Sequence, residues 1–444
     1  MQTQIYSNLG DYIEEMHRFP KIQLEGRVIQ MIGQIIEAYN PGCSMGNLCH
    51  IFNPADMSQT LGEIVGFRKD RILVMPLKNI HNVGPKCRVI PVHRPPTIQV
   101  GEGLLGRVVN PMLEPLDGLG DISTNTDAPL YPEVINPLDR PRITRPLDVG
   151  IRAINASLTC GRGQRVGILA GSGVGKSVLL GMMARYTDAD VNVIALIGER
   201  GREVKDFIEN NLGADGLKRS VVIVATSDQP PLLRMRGAYV ATTIAEYFRN
   251  MGLDVLLTMD SLTRFAMAQR EIGLAAGEPP TTKGYPPSVY SMLPLLLERA
   301  GTAGEQGSIT GFYTVLVEGD DMNDPIGDAV RAIVDGHIIL SRSISAKGHY
   351  PSIDILQSAS RVMGDVVSPQ YRQLSQLLRR TLATYRESED LINIGAYVKG
   401  SNPEIDYALA KYRQIEAFLQ QNVEDHSTLT ECEAKLLQLF RDRM

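Results

Sequence analysis

Residues 163–182 read GQRVGILAGSGVGKSVLLGM, and this stretch restricts the fold more than any other part of the chain. Val166-Gly167-Ile168-Leu169 is an apolar run of strand length. Gly171-Ser172-Gly173-Val174-Gly175 is a glycine-rich turn, Lys176 and Ser177 follow, and Val178-Leu179-Leu180-Gly181-Met182-Met183 can open a helix. Strand, glycine turn, Lys-Ser and helix make a phosphate-binding loop. The glycines let backbone N–H groups converge on phosphate oxygens without Cβ clashes, and the helix N-terminus adds the positive end of its dipole. Lys176 supplies a point charge for β- and γ-phosphates, and the Ser177 hydroxyl can ligate Mg²⁺. The expected nucleotide-binding set is therefore Gly171, Ser172, Gly173, Val174, Gly175, Lys176, Ser177 and Val178. One position departs from the usual pattern: Ala170 replaces the first glycine.

The rest of the chain organises around this loop. At 444 residues it has room for two or three domains. Residues 1–23 form an N-terminal segment in which Tyr12, Met16 and Phe19 share one helical face. The segment is either a frayed terminus or a helix whose apolar face packs on its own domain, or that face meets a membrane or partner. Residues 24–95 carry short apolar stretches punctuated by Gly, Asn and Pro: Arg27–Ile32, Gln34–Ala38, Leu48–Phe52, Gly62–Phe67, Arg71–Pro76 and Cys87–Pro91. This even spacing predicts a small β-barrel. Residues 96–150, rich in Pro and Gly, read as a linker with some strands wrapping into the next domain. Up to residue 365 apolar strands alternate with helical patterns, the signature of a parallel α/β sheet. The strands are expected at Val166–Leu169, Val193–Ile197, Val221–Ala225, Val255–Met259, Ile309–Val317 and Gly336–Leu340. Residues 366–444 are helical, with Leu374, Leu377, Leu378 and Leu382, then Ile415, Phe418 and Leu419, then Leu436, Leu437 and Phe440 at helical spacing.

Composition narrows the class of function. The net charge of −5 gives no bulk basicity for nucleic acid. Five scattered cysteines, with no CxxC pair, argue against a disulfide framework or a zinc site and for a reducing compartment. The N-terminus has neither the basic nor the apolar region of a signal peptide, and no run of apolar residues is long enough to span a bilayer. The expected location is the cytoplasm.

Hydrolysis needs groups beyond the loop. Val255-Leu256-Leu257-Thr258-Met259 is an apolar strand ending in Asp260. On a parallel sheet this puts the carboxylate at the carboxyl edge beside the loop, where it can hold Mg²⁺ through water. Val193–Ile197 likewise runs into Gly198-Glu199-Arg200-Gly201-Arg202-Glu203. Glu199 there either orients the water that attacks a γ-phosphate or belongs to a solvated, self-paired cluster. Tyr350–Arg361 closes the α/β region. Spacing leaves Arg361 as either a rim salt bridge or an arginine finger presented to a neighbouring subunit, a device worth roughly 10³–10⁵-fold in rate.

Five segments, AGSGVGKS, LIGERGREV, ATTIAEYFR, PPSVYSMLPLLLERAG and PSIDILQSASR, together resemble the rotary and secretion ATPase family. The last has Pro351, Ser352, Ile353, Asp354, Ser358 and Ser360 in place. Within that family, NPLDRPRITRPLDVGIRAINASLTCGRGQRVGI, DDMNDPIGDAVRAIVDGHIILSR and LINIGAYVKGSNPEIDYAL resemble the flagellar and type III secretion export ATPases, and Gly395–Pro403 leans flagellar. The resemblance implies a RecA-like P-loop parallel-sheet core with an N-terminal small β-barrel and a C-terminal helical domain. It implies ATP and Mg²⁺ as ligands and a homohexamer with a site at each interface. In that reading Glu199 is the general base or water-positioning carboxylate, supported by Arg200 and Glu203. Arg264 lies near the phosphates, Arg361 is the finger, Tyr350 stacks on adenine, and Asp320–Asp328 line a central pore. The implied partners are export-chaperone complexes, a stator or regulator protein and the membrane export gate, with peripheral association at the inner-membrane secretion apparatus.

Three other readings compete. A catalytic subunit of a proton-translocating ATP synthase would carry an acidic torque segment, of which Arg386-Glu387-Ser388-Glu389-Asp390 is only a faint echo. A non-catalytic nucleotide-binding ring subunit usually lacks the carboxylate found here as Glu199. A nucleic-acid translocase fits poorly with the acidic charge and with a barrel lacking base-stacking aromatics.

Overall fold

A computed structural model describes residues 24–78, 83–92, 96–304, 307–317, 319, 321 and 324–443. The expected amphipathic segment 1–23 lies outside the described residues, as do residues 320, 322 and 323 of the expected pore stretch. The chain divides into two compact units between Pro96 and Thr97.

In the first unit, β1 (Gly26–Ile32), β2 (Ile35–Tyr39), β3 (Leu48–Asn53), β4 (Ser58–Arg68), β5 (Arg71–Pro76) and β6 (Arg88–Pro91) form a closed barrel in the order β1-β2-β5-β4-β3-β6. Alternating residues turn inward, and Val28, Ile36, Ile51, Ile64, Ile72, Val74 and Val89 fill the interior. β4 begins four residues before the apolar stretch that announced it. Its ladder with β3 extends from Leu48↔Glu63 to Asn53↔Ser58, and backbone pairing does not require apolar side chains.

The second unit is built on a nine-stranded sheet. Its main path uses β7 (Val108–Val109), β8 (Arg165–Ala170), β9 (Val191–Glu199), β10 (Ser220–Thr226), β11 (Asp254–Asp260), β12 (Ser308–Leu316), β13 (Gly336–Leu340) and β14 (Ala359–Ser360). The order is β14-β13-β8-β12-β11-β9-β10-β7, and Gly301–Thr302 pairs off this path with β12. β7 to β13 run parallel, while β14 returns antiparallel along the edge of β13. Eight of the nine residues of β9 are buried and only Glu199 is partly exposed, as expected of a strand covered on both faces. Each such Val, Leu or Ile contributes about 1.5–3 kcal/mol on burial.

Each of the six expected core strands is present, with ends moved by at most two residues. The proline-rich stretch 96–150 carries the short strands expected of it: the edge strand β7, and Thr97–Val100 paired antiparallel with Thr126–Pro129.

The C-terminal helices α6 (Pro369–Asn393), α7 (Pro403–Leu419) and α8 (Leu429–Leu439) share one hydrophobic core with the sheet, to which Leu374, Leu378, Ile415 and Leu436 belong together with Val166 and Ile168. Hydrogen bonds also fasten them: Tyr371 Oη donates to the Asn155 carbonyl at 3.0 Å, and Arg152 Nη1 donates to that of Phe418 at 2.9 Å. All five cysteines are buried, and none is in a disulfide. Among the described residues, no helix is long and apolar enough to cross a membrane.

Candidate active site

β8 ends at Ala170, and the chain turns through Gly171–Gly175 into helix α1 (Lys176–Tyr186). Gly173 and Gly175 have φ of 79° and 90°, conformations that L side chains rarely adopt. No side chain caps the start of α1, so its first amides remain available to an anion. Gly171 and Val174 are buried, while Ser172, Gly173, Ser177 and Val178 are exposed.

The parallel sheet brings the carboxyl ends of β8, β12, β11 and β9 to this loop. Lys176 Nζ bonds Oδ1 of Asp260 and lies 3.6 Å from Oε1 of Glu199. Asp260 is only 3% exposed. Its Oδ1 also accepts from Thr314 Oγ1 at 2.6 Å, on the strand between β8 and β11. Burial, and next the negative charge of Asp260, push the Glu199 carboxyl up to about 7, against the pull of Lys176. Glu203 adds to the rise through a hydrogen bond and its charge.

Two carboxylates and one ammonium thus share a space at the mouth of the loop. The Asp260 carboxylate already holds a cation, and with the Ser177 hydroxyl it offers the hard oxygen donors that Mg²⁺ prefers. Among the described residues no group of three or more His, Cys, Asp or Glu is poised around a metal. Mg²⁺ needs no such cage, since it is typically held by one or two carboxylates together with substrate phosphates and water.

The remaining predicted residues divide. Arg264 sits in the first turn of helix α3 (Leu262–Ala276), where its amide donates to the capping Ser261 hydroxyl at 3.4 Å. Its side chain packs across Gly198, where a Cβ would sit 2.7 Å from Arg264 Cβ. Tyr350 reaches the loop, its ring about van der Waals distance, 3.5 Å, from where a Gly175 Cβ would be. Arg200 instead turns outward, 80% exposed, and pairs with Glu203 at 3.1 Å.

Arg361 is exposed and stands at the far end of the sheet. Its amide donates to the Asp335 carbonyl, level with the start of β8. At about 3.3 Å per residue, the five steps from Arg165 to Ala170 put roughly 16 Å between Arg361 and its own loop. The side chain cannot serve that loop in its own chain. Of the expected pore stretch, Asp321 and Asp324 lie 3.5 and 3.1 Å from Lys283 Nζ.

Sequence reasoning missed the supporting residues. Thr314 is one of four hydroxyl-bearing residues in β12, with Ser308, Thr310 and Tyr313, and stands out only once β12 is known to lie beside Asp260. Ser352 was visible in its motif but without a role; its Oγ donates to the Val174 carbonyl at 2.6 Å.

Comparison with known proteins shows the family. Residues 150–360 match the ATP synthase alpha/beta family, nucleotide-binding domain, and residues 367–438 match the T3SS EscN ATPase C-terminal domain. The chain is 51% identical to the flagellum-specific ATP synthase of Bacillus subtilis over 99% of both chains. Two solved structures of the ATPase EscN, from the type III secretion system of enteropathogenic E. coli, also match. The assembled enzyme superposes with a TM-score of 0.87 at 44% identity, and EscN in complex with its central stalk EscO with 0.85 at 42%. Each match covers 93% of this chain and 99% of the other.

Proposed function

The chain belongs to the family of flagellar and type III secretion ATPases, and from that premise we propose that it works as a homohexamer whose ATP hydrolysis releases chaperones from export substrates and unfolds those substrates at a flagellar export apparatus. The ammonium of Lys176 held between Asp260 and Glu199 carries this reading, because the three groups meet where the γ-phosphate of a loop-bound nucleotide belongs.

Lys176 exchanges its carboxylate partners for the β- and γ-phosphates, while the uncapped amides of the loop and α1 receive phosphate oxygens. Mg²⁺, with Ser177 and Asp260 as its protein partners, would supply charge neutralisation at the transferring phosphoryl group. Glu199 orients the attacking water and accepts its proton, a role that needs the ionised carboxylate. Arg264, over Gly198, faces the same space. Tyr350 offers its half-exposed ring to the adenine. Arg361, remote from its own loop, completes the site of the adjacent subunit. That division of labour makes each interface one site and explains why a ring is required.

The proposed partners are chaperone–substrate complexes, a stator or regulator protein and a central stalk. The proposed place of action is the cytoplasmic face of the membrane export gate. The reading is tested by ATPase assay and native mass spectrometry of the purified chain. Hydrolysis confined to a six-membered species, and lost in Lys176→Ala, is expected. Full activity in a monomer excludes the shared site.

A further inference from the structure

Tyr350–Arg361 carries more than a ring and a finger. Its polar side chains are tied one after another to different elements. Ser352 is buried and donates to the Val174 carbonyl at 2.6 Å. Asp354 is buried, accepts from the Leu356 amide at 3.0 Å and the Gln357 amide at 3.3 Å, and pairs with Arg386 of α6 at 2.8 and 2.9 Å. Ser358 Oγ donates to the Asp354 carbonyl at 2.6 Å and accepts from the Ile339 amide of β13 at 2.9 Å. The segment is therefore fixed to α6 and β13 at the point from which Ser352 reaches the phosphate loop.

The bond from Ser352 matters because of what lies across the same peptide. The Val174 carbonyl and the Gly175 N–H belong to one planar trans unit and point in opposite directions. Pinning the carbonyl towards Ser352 aims the Gly175 N–H away from it. Without that tether the glycine-rich turn is free to rotate the peptide, presenting an oxygen where a donor is needed. Arg379 of α6 adds positive charge near Asp354 and donates to the Ser358 carbonyl at 3.0 Å, but it is Arg386 that hydrogen-bonds the buried Asp354 carboxylate, so its loss loosens the segment that carries Ser352.

We propose that Ser352 is a positioning residue for nucleotide binding, and that the Asp354–Arg386 pair makes the pose of the phosphate loop depend on helix α6. The inference rests on the nucleotide reading of the loop.

The test measures the Kd of a ribose-labelled fluorescent ATP, KM and kcat for ATP, and Tm, in the full chain and its variants. Ser352→Ala is expected to raise Kd about fivefold, as for one hydrogen bond lost, and to raise KM more than it lowers kcat. Ser352→Thr, which keeps the hydroxyl, recovers the affinity. Arg386→Gln also raises Kd, and the Ser352→Ala/Arg386→Gln pair raises it by less than the product of the single effects, because both act through one bond. Unchanged Kd in Ser352→Ala, or a strictly multiplicative double variant, overturns the proposal. If Ser352→Ala melts below the assay temperature, Ser352→Cys and Arg386→Gln decide, and normal Kd in both overturns it. Failure of the unsubstituted chain to bind the labelled ATP overturns the nucleotide reading itself.

Discussion

Lys176 Nζ stands 3.6 Å from Glu199 Oε1 while it bonds the carboxylate of Asp260. One ammonium thereby compensates two carboxylates brought together by β9 and β11, and ligand binding must redistribute that compensation. Most consequences of the site follow from this shared charge.

Removing the charge of Glu199 separates binding from chemistry. Glu199→Gln keeps the side chain's size and leaves Lys176 on Asp260. It is expected to bind ATP with near-normal Kd and to lose hydrolysis by about 10²–10⁴-fold. Single-turnover assays on the purified variant check this, and near-normal turnover removes Glu199 from the mechanism.

The raised Glu199 carboxyl sets a pH profile. If the ionised form is the active one, kcat/KM rises as pH passes through about 7. The stability effect has the opposite direction. Between its ordinary 4.5 and about 7 the folded chain binds more protons than the unfolded one, so this group's contribution to stability falls as pH rises across that window. Melting curves of the parent and Glu199→Gln between those limits should diverge, with only the parent showing this fall. Parallel curves would show that the site does not hold Glu199 protonated.

Arg361 is tested by complementation. Arg361→Ala should keep the hexamer and lose activity by roughly 10³-fold or more. Mixed rings of inactive Lys176→Ala and inactive Arg361→Ala subunits should regain part of it, because some interfaces then pair an intact loop with an intact finger. Mixed rings verified by mass that show no rescue count against a shared site.

Thr314→Val removes the hydroxyl that orients Asp260 while nearly preserving volume. Loss of a buried hydrogen bond to a charged group costs about 1.5–3 kcal/mol. Part of this should appear as a higher Mg²⁺ concentration for half-maximal activity, read from ATPase titrations. An unchanged Mg²⁺ requirement would make Thr314 a packing residue only.

Gly198→Ala should harm the site through backbone and packing together. Its φ of 69° disfavours any side chain, and the added Cβ would meet Arg264 at 2.7 Å. A stability loss of about 1–3 kcal/mol is expected from denaturant unfolding, with reduced kcat because Arg264 must move. A variant with normal stability and normal kcat refutes this placement of Arg264.

The sequence made the strands of the sheet and barrel legible because continuous or regularly interrupted apolar runs can be read locally, and the phosphate loop because its chemistry is contiguous. Their spatial neighbours were less legible. β7 hides in a proline-rich stretch because a two-residue edge strand leaves no periodic trace. Thr314 and Ser352 act on residues 54 and 178 positions away.

The sequence alone thus determined the apolar patterning of the sheet, the glycine turn and the carboxylates that end β9 and β11, since each is a property of consecutive residues. Tertiary structure decided that Glu199, Asp260 and Lys176 share one space, that Ser352 tethers the loop, and that Arg361 lies at the opposite end of the sheet from it. Those relationships come from strand order and parallel register, which depend on packing between distant segments and are encoded in no single stretch of the chain.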